Sequence, residues 1–196
     1  QGFLENHAQL VGIPHPSEIE LSQGWQKLAG PFLVTDSADR TVKSLDYKPA
    51  AEVYLEIVEE AYRGEDSNFF DFLCDIIDAE ENGKKHGFQD MAKNFPLGIE
   101  KGHSDIFICE PVAREGKQLV CRGSIPPLSP VYILKSTPAS LIDASRNAAK
   151  RMAEKLPDHH LHPLVFGCAG RSHYLQDKFA EEVGEIADSF ETGILG

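Results

Sequence analysis

Short apolar runs that alternate with turn-forming residues predict antiparallel strands in the first half of the chain. Residues 31–35 and residues 40–45 are both strand-like, and the second run alternates apolar and polar positions with a period of two. Residues 36–39 supply a turn between them, so this pattern predicts a β-hairpin. Further short extended pieces are predicted at residues 95–99, 106–109, 119–121 and 131–134, with a tight turn at 114–117.

Apolar positions spaced three and four residues apart predict four helices. The first is expected to begin around Asp46 and Pro49, because proline is favoured in a first turn, and to end at Gly64. The longest begins with Thr137 as its cap and Pro138 at its first position, and it ends before Pro157. The other two are predicted over residues 67–80 and 174–190, and residues 83–94 are predicted to be a loop.

The segment from residue 162 to residue 174 joins an apolar run to polar side chains. Residues 164–167, between Pro163 and Gly170, predict a buried strand, and Ser172 is a candidate cap for the helix that follows. With the strand at 131–134 and the long helix, this segment predicts a β–helix–β unit near the C-terminus. The predicted fold class is therefore α+β: early antiparallel hairpins, then a mixed β-sheet with helices packed on it.

The turn after this strand is the best candidate for a ligand-binding site. A strand that ends at a small-residue turn before a helix leaves backbone N–H groups free, and an anion can bind there. Cys168, Gly170 and Arg171 occupy this turn, and an arginine can form a bidentate pair with a carboxylate. His173 and Tyr174 can line the same crevice. We therefore predict an anionic ligand at these five residues.

For three sets of polar residues, more than one role remains open. Cys168 is either a ligand contact, a small hydrophobe buried at the end of a strand, or the nucleophile of a Cys–His enzyme. Asp46 is either a helix cap or a sixth ligand-binding residue. His159, His160 and His162 are close enough in sequence to suggest zinc, but a loop lacks a rigid frame, so a solvated loop is the default. No metal site, cofactor or catalytic residue is predicted.

Composition narrows the classes of partner. The formal net charge is −12 and the pI is about 5.0, and such a surface repels nucleic acid and anionic membranes. The four cysteines form no C-x-x-C pair, so reduced thiols in a cytoplasmic protein are expected. No apolar run approaches the roughly 20 residues of a membrane helix, and the start of the chain has no signal-peptide pattern.

Several short motifs, taken in order, resemble the C-terminal half of the FIST domain, the module of F-box and intracellular signal-transduction proteins. The resemblance covers the chain from about residue 24 onward, and it departs from the family pattern at Tyr47, where a glycine is common. Residues 1–23 are accordingly predicted to be a linker or leading arm, and residues 24–196 a single domain truncated at both ends. The motifs lie at residues 24–25, 31–35, 45–50, 95–98, 123–126 and 165–171.

This resemblance implies an intracellular module that senses a small molecule. FIST domains are thought to bind amino acids or related carboxylates and to be fused to signalling or ubiquitin-ligase parts, and the family implies no catalysis. The expected partners are thus a small ligand and the N-terminal half of the module or another protein domain. The alternatives are an interaction scaffold of the F-box type and, from another class, a thiol enzyme that uses Cys168.

Overall fold

The computed structural model of the chain describes residues 12, 17–63, 87–101, 105–155, 163–190 and 194. The strands are β1 (Gln26–Ala38), β2 (Thr41–Leu45), β3 (Lys48–Pro49), β4 (Leu97–Lys101), β5 (Asp105–Cys109), β6 (Pro111–Glu115), β7 (Gln118–Cys121) and β8 (Pro130–Lys135). The helices are α1 (Ala50–Arg63), α2 (Gly87–Ala92), α3 (Pro138–Lys155), α4 (Ala169–Leu175) and α5 (Phe179–Ala187), with a 3-10 turn at Gln176–Lys178 before α5. The predicted α+β class is confirmed.

One eight-stranded sheet organises the described residues. Its strand order is β5-β4-β8-β1-β2-β7-β6, with β3 paired to β2, and every described pair of strands is antiparallel. The long strand β1 pairs with β8 through its first half and with β2 through its second half. Register shifts occur in both pairings, and such bulges bend a strand and increase its twist. A bent β1 therefore joins two halves of the sheet.

The two ends of the strand order meet. Only Glu110 separates β5 at one end from β6 at the other, so the sheet curves round to bring these strands together. The backbone N–H of Arg122, just after β7, donates to the carbonyl oxygen of Glu110 at 2.8 Å. Because a strand that bends at such a corner changes from one half of the sheet to the other, the apolar faces of both halves enclose one core.

Two helices cover the core that the sheet encloses. Tyr54 of α1 is fully buried, and its hydroxyl donates to the carbonyl oxygen of Phe95 at 2.8 Å. Phe88 and Met91 of α2 are buried against the same cluster, and the ring centroids of Tyr54 and Phe88 lie 6.1 Å apart. Each such side chain stabilises the fold by about 1.5–3 kcal/mol through the apolar surface it buries.

Two local predictions about the first two helices are wrong. Asp46 and Tyr47 form the tight turn between β2 and β3, with φ of 47° and 63°, so α1 begins only at Ala50. Pairs of positive φ angles are typical of two-residue hairpin turns, and here this turn overrides the proline signal for a helix start. Residues 87–92, predicted as part of a loop, form α2, whose six residues are too few for a periodic signal.

The long helix α3 begins as predicted. The N–H of Ser140 donates to the hydroxyl of Thr137 at 3.1 Å, and the N–H of Thr137 donates back to the hydroxyl of Ser140 at 3.1 Å. This reciprocal cap satisfies donors that a helix otherwise leaves without partners. The hairpin of β1 and β2 is also confirmed, but its turn lies at Asp39 and Arg40 rather than over residues 36–39, because β1 continues to Ala38. The predicted helix over residues 67–80 lies outside the described residues.

The predicted strand at residues 164–167 is not formed, and neither is the parallel β–helix–β unit. Only Leu164 makes an isolated bridge, and the exposed fractions of Leu164 and Phe166 are 57% and 88%. The position beside β8 that a returning strand would take is occupied on one side by β4 and on the other by β1. Residues 163–168 therefore run as an extended segment over the surface.

Candidate functional site

Cys168 lies where this extended segment enters α4. It is the N-cap residue of the helix, with extended backbone angles, and its side chain is exposed. The alternative that Cys168 is a small buried hydrophobe is therefore wrong. The candidate cap Ser172 lies inside α4 instead, where its hydroxyl donates to the carbonyl oxygen of Ala169 at 2.9 Å.

Arg171 points inward and binds other parts of the chain. Its Nε donates to Glu182 Oε1 at 2.6 Å, and its Nη2 lies 2.5 Å from the same oxygen. Nη1 donates to the carbonyl oxygen of Gln23 at 2.7 Å, and Nη2 donates to that of Leu141 at 2.6 Å and to Ser145 Oγ at 2.9 Å. We call these five residues the Arg171 cluster. Ligand binding by Arg171 stays a prediction, because its guanidinium is paired here with a carboxylate of the protein.

The charged side chains of the Arg171 cluster are buried and paired, whereas the side-chain oxygen of Gln23 is buried without a hydrogen-bond partner among the described residues. The side chains of Arg171 and Glu182 are only 13% and 4% exposed, and the Ser145 hydroxyl also donates to Glu182 Oε1, at 2.7 Å. Buried charges are tolerated when they are paired and fully hydrogen-bonded. The cluster therefore joins α4 to α3, α5 and the segment before β1.

The segment before β1 reaches the cluster because of a glycine. Gly24 has φ of +72°, and a Cβ atom at this position would lie 2.7 Å from the carbonyl oxygen of Ser140. A glycine alone allows this close approach and this backbone angle. Glu20 adds ion pairs to Arg151 at 2.7 Å and to Lys155 at 2.9 Å, both on α3. Residues 20–24, which were expected to belong mainly to a linker or leading arm, thus contact the C-terminal helices.

Tyr174 and His173 lie on different sides of α4. The Tyr174 hydroxyl donates to the carbonyl oxygen of Ser136 at 2.7 Å, and its ring centroid is 5.4 Å from that of Trp25. Burial raises the pKa of Tyr174. His173 is exposed. Tyr174 thus anchors α4 to the start of α3, whereas His173 faces solvent.

The turn at Cys168 and Gly170 lies against an ion pair that sequence reasoning missed. A Cβ atom at Gly170 would lie 3.7 Å from Cys168 Sγ and 3.9 Å from Glu110 Oε2. Arg122 Nε donates to that same carboxylate oxygen at 3.0 Å, and the side chains of Arg122 and Glu110 are 63% and 18% exposed. We call Glu110, Arg122, Cys168 and Gly170 the seam surface. No sequence signal predicted it, because its members come together only where the sheet closes.

The family of the chain follows from the comparison with known families. The FIST C domain model matches residues 50–196, three quarters of the chain. The chain belongs to the FIST C domain family. FIST C domains are sensor-type domains associated with signal transduction. No curated protein and no solved structure was found to match the chain. The matched region of this FIST C domain includes the whole seam surface, whereas the Arg171 cluster also uses Gln23 from outside it.

The remaining predicted site residue of this FIST C domain lies on another turn. The Asp46 carboxylate accepts from the backbone N–H of Leu33 at 2.8 Å, and the Asp46 N–H donates to the Leu33 carbonyl oxygen at 2.8 Å. Asp46 therefore holds the β2–β3 turn against β1 rather than capping α1. The other five predicted residues all lie between Cys168 and Tyr174.

The described residues include neither a metal-holding group of side chains nor a membrane-spanning helix. No group of three or more histidine, cysteine, aspartate or glutamate side chains there is arranged to hold a metal ion. The candidate zinc ligands His159, His160 and His162 lie outside the described residues. None of the described helices is both long enough and apolar enough to cross a membrane.

Proposed function

We propose that this FIST C domain senses a small ligand carrying an amino group and a carboxylate, with α-amino acids as the first class to test, at the seam surface. The observation that carries the proposal is the pair formed by Glu110 and Arg122 beside an open glycine turn. The two charges of this pair complement the two charges of an amino acid.

Glu110 and Arg122 can each exchange the other for a charged group of the ligand. The Glu110 carboxylate can accept hydrogen bonds from a ligand ammonium, and the Arg122 guanidinium can bind a ligand carboxylate through two parallel hydrogen bonds. Arg122 is more than half exposed, so its side chain can turn toward a ligand at little cost. Because the Arg122 side chain is 63% exposed, solvent screening keeps the contribution of this pair to stability small, so separating it is inexpensive.

The surroundings of the pair support a small ligand. Gly170 has no side chain, and a Cβ atom there would lie within 4 Å of both Glu110 Oε2 and Cys168 Sγ. A glycine at this position keeps open the space next to the carboxylate. Arg171 follows Gly170 directly, and the Arg171 cluster holds the helix that presents this turn. The cluster thus positions the seam surface rather than contacting the ligand itself.

Calorimetric titration with a panel of amino acids tests the proposal. We expect at least one to bind, and at about 100 times its Kd to stabilise the domain by about 2.7 kcal/mol. Arg122→Gln and Glu110→Gln should each abolish this binding. Arg63→Gln is the matched control, because Arg63 is also an exposed arginine paired with a glutamate, Glu59, but on α1. Absence of binding by every amino acid, or binding that is unchanged in Arg122→Gln, would contradict the proposal.

A second candidate function is a protein-interaction scaffold, and one observation favours it. Leu164 and Phe166 alternate along an extended surface segment and are 57% and 88% exposed. Exposed apolar side chains in such a segment can support pairing with a partner protein. A pull-down with the wild-type chain and with the Leu164→Ser/Phe166→Ser double variant tests this function. A partner retained equally by both chains would count against it.

A further inference from the structure

Two buried cysteines lie together where the sheet closes. Cys109 is the last residue of β5 and Cys121 the last residue of β7, and their exposed fractions are 2% and 0%. Both are free thiols, and the hydrogen bond from the Arg122 N–H to the Glu110 carbonyl oxygen pairs the residues that directly follow them. Cys109 Sγ also lies 3.5 Å from the carbonyl oxygen of Gly123. The two cysteine side chains therefore lie on neighbouring strand ends and face the same core, so a small movement can bring their sulfurs into bonding distance.

The two thiols differ in the direction in which their pKa values are shifted. The hydrogen bond from the Cys121 thiol lowers the pKa of Cys109, whereas that same bond, together with burial, raises the pKa of Cys121. The thiolate is the nucleophilic form of cysteine. This difference, together with the position of Cys109 beside Gly123, makes Cys109 the sulfur that reacts first and Cys121 the resolving thiol.

A glycine leaves a route to the reactive sulfur. A Cβ atom at Gly123 would have Cys109 Sγ at 3.6 Å, and apart from its chain neighbours no other heavy atom would lie within 4 Å of it. Gly123 is itself partly exposed. A small oxidant can therefore approach Cys109 beside Gly123, although the sulfur is shielded from larger reagents.

We propose that Cys109 and Cys121 are a redox-responsive pair, which a small peroxide converts to a disulfide across the closure of the sheet. The Cys109 thiolate attacks one peroxide oxygen, the O–O bond breaks, and the products are a sulfenic acid and water. The sulfur of Cys121 then attacks the sulfur of Cys109, the S–O bond breaks, and a second water leaves. Two thiols lose two electrons, and hydrogen peroxide is reduced to two molecules of water.

The disulfide would tie together the two strand ends that carry the seam surface. Glu110 follows Cys109 and Arg122 follows Cys121, and successive residues of a strand point to opposite faces. The thiols accordingly point into the core while Glu110 and Arg122 lie outside. The disulfide itself forms whether or not a ligand binds, so this inference does not depend on the proposed function.

Hydrogen peroxide titration of the full chain, followed by peptide mapping with differential alkylation, tests the pair. We expect the thiols of Cys109 and Cys121 to disappear together, with the loss of two hydrogen atoms in mass, one linked peptide and full reversal by dithiothreitol. Oxidation should also raise the thermal unfolding temperature, because the new link restricts the unfolded chain. Cys168→Ser is the matched control and should keep all of these changes.

Three outcomes would overturn the inference. The first is linkage of Cys109 or Cys121 to Cys74 or Cys168 instead of to each other. The second is oxidation of Cys109 to a sulfinic acid while the Cys121 thiol persists, and the third is protection of both thiols while Cys168 is consumed. Cys109→Ser should abolish the linked peptide. If that variant does not fold, mapping of the wild-type chain still decides between these outcomes.

Discussion

Removing the carboxylate of Glu182 should destabilise the domain far more than removing a neighbouring carboxylate on the same helix. In Glu182→Ala, the Arg171 guanidinium keeps its buried position, 13% exposed, without a counter-charge. The Ser145 hydroxyl loses its acceptor as well. Breaking a buried ion pair by removing one partner costs about 3–5 kcal/mol. We therefore expect Glu182→Ala to lower the free energy of unfolding by about 4 kcal/mol.

The matched control is Glu185→Ala, also on α5. Glu185 pairs with Arg146 on α3 at 2.5 Å, but their side chains are 33% and 31% exposed. Arg146 lowers the pKa of Glu185 through their hydrogen bond. Solvent screening makes the contribution of such a partly exposed pair to stability small. The two variants thus separate burial from the mere presence of an ion pair.

Urea unfolding followed by circular dichroism measures both variants. For a domain of this size, about 4 kcal/mol corresponds to a fall in Tm of about 10 °C. The double variant Arg171→Met/Glu182→Met removes both charges and should recover much of the loss, because an apolar pair needs no counter-charge. Equal destabilisation by Glu182→Ala and Glu185→Ala would refute the view that the Arg171 cluster is a buried structural ion pair.

Three further predictions concern backbone strain and buried groups. Tyr47→Gly should raise the free energy of unfolding by about 1 kcal/mol in urea titrations, because Tyr47 is 86% exposed and holds φ at 63°. Gly24→Ala should lower the free energy of unfolding by more than about 1 kcal/mol, because φ at Gly24 is positive and the added Cβ would clash with the Ser140 carbonyl oxygen. Gly184→Ala is the control and should not lower it, because nothing lies within 4 Å of the added Cβ. Burial raises the pKa of Tyr54 well above its usual value, so the urea midpoint should fall as pH rises above about 10, where the unfolded tyrosine ionises and the folded one does not. Tyr54→Phe should flatten that fall, and unchanged pH dependence in this variant would contradict the assignment.

Local signals in the sequence were sufficient for elements whose stability is local. The cap at Thr137 and Ser140, the β1–β2 hairpin and the apolar face of α1 all depend on residues close in sequence, and the structure has each of them. The beginning of α1 was predicted too early because Asp46 and Tyr47 form a hairpin turn, which competes with a helix start for the same residues.

The candidate site required information that no local pattern carries. The strand predicted at 164–167 does not form because β1 and β4 occupy the positions on both sides of β8. That strand order is a property of the whole sheet. Arg171 was predicted to bind an anionic ligand, which stays a prediction, and its protein partners Gln23 and Glu182 lie on other elements that the local sequence does not indicate. Glu110 meets Gly170 only because the sheet closes, so its position next to the turn could not be predicted from spacing.

Amide chemical-shift mapping during titration with an amino acid tests whether the seam surface binds the ligand. We expect the backbone amides of Gly170 and Arg122, and the side-chain Nε–H of Arg122, to shift in a saturable way with a common Kd. The side-chain Nε–H of Arg171, which donates to Glu182 at 2.6 Å, should stay in place. Saturable shifts centred on Arg171 with none at Arg122, or no saturable shift with any amino acid, would contradict ligand sensing at the seam surface.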